Sequence, residues 1–219
     1  MLIDLCVPIA EHWRYPFKRY LASAFENGAK WQITEFVMRS HWFSHMDFPR
    51  HTGAQYPDSE EFPLEAYNGP ASLIDVSRTE GVKDYGFTAE DVKRAVGERK
   101  LNKILLIRSK WNLECDWNTK DFWVHAPYLT EEAYNYLNTL GLTAVGFDFP
   151  QDYTIRELIF RPVPPEEQLS HAILLRNNVL LLEYLTNFDK IPVDDFELYC
   201  LPLKLQHIDG CPVRCIAKV

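Results

Sequence analysis

Residues Thr88–Ser109 read TAEDVKRAVGERKLNKILLIRS, and Thr130–Asp148 read TEEAYNYLNTLGLTAVGFD. Both begin at a threonine, run through helix formers, reach a glycine or nearby break, and finish in a short apolar block. Thr88 and Asp91 have the spacing of a capping box with Asp in place of Glu, which predicts a helix stopping near Gly97. KILLIRS, 103–109, then reads as a buried strand. Thr130 is the matching N-cap, Glu131 and Glu132 suit the positive end of the helix, and Gly141 ends it. The next strand is 143–148. Two helix–strand units in succession predict an α/β architecture.

Working outward, 2–8, 31–40 and 71–77 have the β-branched and aromatic content of strands. Downstream, a helix is expected over 166–177, and strands over 179–185, 196–204 and 212–218. No linker, repeat or low-complexity tract divides the chain, so residues 1–219 are expected to form one domain with a mixed sheet and flanking helices. Residues 111–128, WNLECDWNTKDFWVHAPY, form a loop carrying three tryptophans. A loop of that composition is expected to pack over a site or a neighbouring subunit.

Of the 219 residues, 47% are hydrophobic and 14% aromatic, which supports a substantial core. A net charge of −8 argues against nucleic acid and against a basic membrane-surface helix. The first twenty residues lack the basic start of a signal peptide, and no apolar run has transmembrane length. The five cysteines form no CxxC pair and read as reduced thiols of a cytoplasmic protein.

Residues 41–51, HWFSHMDFPRH, hold three of the seven histidines. The chemically capable positions are His41, His45, Asp47 and His51. All are odd-numbered, so on a strand they would share one face. Neutral imidazole with carboxylate suits zinc, manganese or iron. Four residues of straight strand span about 13 Å, too far for His41 and His45 to share one ion. A shared metal therefore requires a bend near Phe43–Ser44, whereas His45 and Asp47 need none. Glu183 stands out separately, inside the apolar run VLLLEYL. A buried carboxylate needs either a cation or an ion-pair partner, with Arg176 or a lysine as candidates for the second.

The 41–51 segment resembles the HxGTHxDxPxH signature of the cyclase-like metal-dependent hydrolases, with Phe43 in place of Gly and Ser44 in place of Thr. GFDFPQ (146–151), HAILLRNNVLLLEYLTNFDKIP (171–192) and LPLKLQHIDGCPVRCIA (201–217) are similar to later segments of that family. The resemblance implies a swivelling β/β/α fold. It implies that His41, His45 and Asp47 bind a first divalent metal, zinc or manganese. His171 would bind a second where two are present, with Asp47 and Glu183 serving both. It implies His51 as general base toward metal-activated water, and hydrolysis of a small-molecule amide, lactam or lactone. Tyr15-Pro16 lies where the family has an aromatic-Pro pair near the substrate, although Phe17-Lys18 replaces the usual Gly-Asp. Tyr15 and Phe43 are therefore candidate substrate contacts, and Trp13, Trp111, Trp117 and Trp123 candidate lining of an aromatic pocket. Homodimers or homotetramers are implied as well. Two alternatives stay open: a cyclase or dehydratase using the same ligands, and a non-catalytic binding protein with Phe43 filling the pocket.

Overall fold

A computed structural model describes all 219 residues. In chain order the strands are β1 (Leu2–Asp4), β2 (Lys18–Ser23), β3 (Ile33–Val37), β4 (His45–Asp47), β5 (Asn68–Asp75), β6 (Gly86–Phe87), β7 (Ile104–Arg108), β8 (Tyr128–Leu129), β9 (Ala144–Phe147), β10 (Leu180–Glu183), β11 (Asp195–Pro202) and β12 (Gly210–Lys218). The helices are α1 (Ala89–Val96), α2 (Trp111–Glu114), α3 (Lys120–Val124) and α4 (Glu131–Asn138).

Eight strands form one mixed sheet in the order β1-β12-β11-β5-β7-β9-β10-β4. The run β5-β7-β9-β10 is parallel, and the remaining pairs are antiparallel. Gly210–Pro212 of β12 also pairs with β4, which closes the sheet on itself. The mixed α/β architecture expected from the helix–strand repeats is therefore present.

Alternation along the parallel strands separates two cores. Leu105, Ile107, Val145, Phe147 and Leu181 face outward and pack with Val92, Ala133 and Leu137 of α1 and α4. Ile104, Leu106, Ala144, Leu180 and Leu182 face inward and pack with Leu198, Cys200, Cys215 and Ala217. Because both faces are covered, these strands read as continuous apolar runs rather than alternating ones. Gly146 lies on the crowded inner face, where an added Cβ would collide with Leu106.

The capping box forms as expected. Thr88 Oγ1 accepts from the Asp91 amide, and the Asp91 carboxylate accepts from the Thr88 amide. Thr130 differs: it stands at the N-cap position of α4, but its hydroxyl donates to the Phe87 carbonyl, tying the helix to β6. The segment 166–177 is not a regular helix. It is a 3₁₀ turn, a π turn over Ser170–Leu174 and a further 3₁₀ turn. The tryptophan-rich loop folds into α2 and α3, with Trp111, Phe122 and Trp123 buried. Its partner is the core of the same chain rather than open surface. A large share of the exposed apolar surface lies instead on the β2–β3 hairpin, whose strand residues are all exposed or nearly so. No helix is long and apolar enough to cross a membrane.

Candidate metal centre

The site starts with a three-residue strand. β4 carries His45, Met46 and Asp47, all buried, between β10 and β12. Its register sets His45 directly opposite Glu183. His45 and Asp47 point to the site side of the pleat, and Met46 enters the inner core. The solitary carboxylate in VLLLEYL is thereby explained by pairing register. Arg176 is not its partner, because that guanidinium pairs with Glu166 at 2.5 Å. Glu183 instead accepts a hydrogen bond from Gln151 and lies 3.7 Å from His45 Nε2.

The bend needed between His41 and His45 falls at Phe43, which has φ of 60°. That left-handed conformation costs a side-chain-bearing residue about 1–2 kcal/mol relative to glycine. The surroundings hold it in place. Ser44 Oγ accepts from the Val7 amide and donates to the Tyr184 carbonyl, and Val213 donates to the Ser44 carbonyl. His45 Nδ1 donates to the Phe43 carbonyl at 2.8 Å, which turns Nε2 toward the carboxylates. The four odd-numbered residues thus converge through a bend before β4 and a 3₁₀ turn at Pro49–Thr52 after it, not along one straight strand.

Asp47 stands at the centre. Its Oδ1 lies 2.6 Å from His41 Nδ1 and 3.1 Å from His45 Nε2. Its Oδ2 lies 3.5 Å from His171 Nε2 and is buried with no hydrogen-bond partner. One donor group comprises His41, His45 and Asp47, and a second comprises Asp47, His51 and His171, each with ligand atoms within 4.8 Å of one another. The His41 and His51 rings stack at 3.8 Å. The structure therefore brings His41, His45, Asp47, His51, His171 and Glu183 together on the floor of one cleft of about 870 Å³.

The electrostatics are those of a site short of positive charge. Burial pulls the His41 imidazole down, but Asp47 and Asp209 outweigh it and push the ring up to about 10. Burial likewise opposes a charge on His171, but the nearby carboxylates of Asp152, Asp47 and Glu183 outweigh it and push the ring up to about 10. Burial opposes ionisation of Asp47, yet His41 and His45 hold it well below the usual carboxylate range. Burial and the Asp47 charge raise Glu183. Protons on the imidazoles neutralise the carboxylates here, and a cation would do so in their place. The donor set of imidazoles and carboxylates, with one buried carboxylate oxygen unpaired, fits a divalent transition metal.

Several supporting residues were not singled out in the sequence. Asp209 Oδ2 accepts from His41 Nε2 at 2.9 Å and lies 3.5 Å from His51 Nδ1. Next to it, Gly210 leaves room for the His41 ring, which a Cβ would strike. Ser170 Oγ lies 2.9 Å from His171 Nδ1 and donates to Asp152 Oδ2, so a buried carboxylate orients that imidazole through a hydroxyl. Asp152 and Gln151 directly follow GFDFP, and Asp209-Gly210 sits within the closing motif. Proximity to those motifs was the available signal.

Tyr15 lies on the cleft wall with Pro16, Trp42 and Tyr184. The other aromatic expectations divide. Phe43 is 1% exposed and packs edge-on against Tyr15 at 5.1 Å, so its ring backs the wall rather than lining the metal cleft. Trp117 and Trp123 join it around a small apolar cavity behind the wall. Trp111 stacks on Phe122, and Trp13 is 41% exposed.

A family model described as "Putative cyclase" matches residues 3–151. Among curated proteins, a kynurenine formamidase of Bacillus cytotoxicus is 28% identical over 206 residues, covering 93% of this chain and 88% of the relative. Cyclase-like protein 1 of Arabidopsis thaliana is 26% identical over 200 residues, covering 90% of this chain and 73% of the relative. Among solved structures, an isatin hydrolase bound to the product analogue thioisatinate superposes with a TM-score of 0.80. It is 22% identical, and the match covers 100% of this chain and 92% of that one.

Proposed function

The chain belongs to the cyclase family, and from that premise we propose that it is a metal-dependent hydrolase of a small-molecule amide, lactam or lactone. One observation carries the reading: the buried Asp47 carboxylate, whose Oδ1 meets His41 and His45 and whose Oδ2 faces His171 with no hydrogen-bond partner. The kynurenine formamidase and isatin hydrolase relatives support it.

His41, His45 and Asp47 would hold one cation, zinc or manganese, and His171 a second where two are present, with Asp47 and Glu183 serving both. When bound, the metal supplies Lewis acidity toward water and toward an acyl carbonyl oxygen. His51, with its side chain 33% exposed on the cleft, takes the proton of the attacking water and returns it to the leaving nitrogen or oxygen. Asp209 faces His51 Nδ1 and so directs its Nε2 toward the cleft. Gln151 and Asp152 fix the orientation of Glu183 and His171. No serine elbow of the GxSxG type is present in the sequence, and the scheme needs no acyl-enzyme. Phe43 stays out of the cleft, which weighs against a binding protein with a filled pocket.

The test joins metal analysis to product mass. One or two equivalents of zinc or manganese per chain, with aryl formamides, lactams or lactones converted to products heavier by one water, is the expected result. Products lighter by one water would move the reaction to a dehydrating cyclase. No bound metal after zinc, manganese and iron are offered would end the hydrolase reading.

A cytoplasmic location and a homodimer or homotetramer belong to the same proposal. The β2–β3 hairpin supports self-association, since Trp31 is 75% and Phe36 58% exposed there. Sedimentation of a monomer at working concentration would remove that part.

A further inference from the structure

Arg14 is placed oddly for a structural residue. Its guanidinium carbon lies 4.4 Å from the centroid of Trp123 and makes no salt bridge. Its Nη1 is buried and has no hydrogen-bond partner. A charged donor left unsatisfied in this way is costly, and stacking on an indole face offsets only part of that cost. Arg14 lines the metal cleft, as does Arg39, which is exposed and also without a salt bridge. The cleft's only acids are the metal-site carboxylates Asp47 and Glu183. Trp123 meets Tyr184 at 4.5 Å, and Tyr184 meets His45 at 5.5 Å, so the guanidinium is joined to the floor by consecutive ring contacts. In a chain of net charge −8, two unpaired arginines on one cleft wall call for an anionic occupant.

We propose that Arg14 anchors a carboxylate of the substrate, separate from the scissile acyl group, so that the enzyme prefers anionic aryl substrates over neutral ones of equal size. The planar fork of arginine matches a carboxylate bidentately, and the aromatic wall of Tyr15 and Trp42 suits a flat spacer between carboxylate and acyl carbon. This inference rests on the hydrolase reading for its assay but not for its binding arm.

The probes are a formanilide bearing a ring carboxylate and its methyl ester, offered to the metal-loaded protein. The wild type is expected to favour the carboxylate in kcat/KM. In Arg14→Gln the carboxylate-to-ester ratio is expected to fall by about 30-fold or more, mainly through KM, with Arg14→Lys between the two. A merely structural role would depress both substrates together and leave the ratio unmoved, which would overturn the proposal. If neither probe turns over, the hydrolase reading fails and the anchor is read by quenching of tryptophan fluorescence. Tighter binding of the carboxylate, lost in Arg14→Gln, upholds it; equal binding overturns it. Formate and inorganic phosphate are the controls for a nonspecific anion site. Inhibition by them as strong as by the carboxylated ring would also overturn it.

Discussion

The floor and the wall of the cleft are built on opposite physical terms. The floor crowds three buried ligand-type side chains of β4 and β10 into a hydrogen-bonded ladder, where the backbone leaves each side chain almost no freedom. The wall is made of rings from loops and the short helix α3: Tyr15, Trp42 and, behind them, Phe43, Trp117 and Trp123. The floor residues match the family signature position by position, whereas the chain departs from the family pattern at Phe43 in the wall and at Phe17-Lys18 just after Tyr15-Pro16. On the proposed reading, reactivity is set by a sheet that tolerates little change, and selectivity by loops that can be re-lined without disturbing the pairing.

If that division holds, substitutions should separate into those that silence the chemistry and those that retune or loosen the site. Asp47→Ala should have the largest effect: metal content and turnover both fall to background, read by elemental analysis and product release. Metal retained at wild-type stoichiometry would remove Asp47 from the centre of the floor. His51→Gln should keep the metal and lower kcat by about 10²–10⁴-fold, the range for loss of a general base. Loss of metal in that variant would instead make His51 a ligand, since it shares a donor group with Asp47 and His171.

Asp209→Asn should cost about 10–100-fold in metal affinity or activity, because it removes the carboxylate that orients His41. A titration with a competing chelator measures the first of these. The smallest effect on chemistry is expected at the junction of the two regions. Phe43→Gly relieves the left-handed backbone but deletes a buried ring, for a net loss of about 2–3 kcal/mol in denaturant unfolding. Its metal stoichiometry should not change. If metal is lost along with stability, the wall and the floor are not separable.

Much of the architecture was legible because local chemistry and tertiary demand agree in the middle of the chain. The capping box at Thr88 forms, and the strands of the two repeats fall within a residue or two of expectation. Agreement was weaker where pairing, rather than pattern, makes the strand. β4 is three residues long and exists because β10 and β12 flank it, so His45-Met46-Asp47 gave no strand signal of its own. The 166–177 segment kept helical periodicity yet was drawn into a π turn that places His171. The tryptophan-rich loop was read correctly as packing over something, but that something is this chain's own aromatic core.

By itself, the sequence determined which residue types could bind a metal and, through the four-residue reach from His41 to His45, that the backbone between those two must bend for them to share an ion. Those are properties of residue type and chain reach, both local. Only the tertiary structure decided that Glu183 faces His45 instead of Arg176, that Asp209 arrives beside His41 and His51, and that Phe43 turns away from the cleft. These are contacts between segments distant along the chain. They are set by strand register and sheet closure, to which no single segment's composition is sensitive.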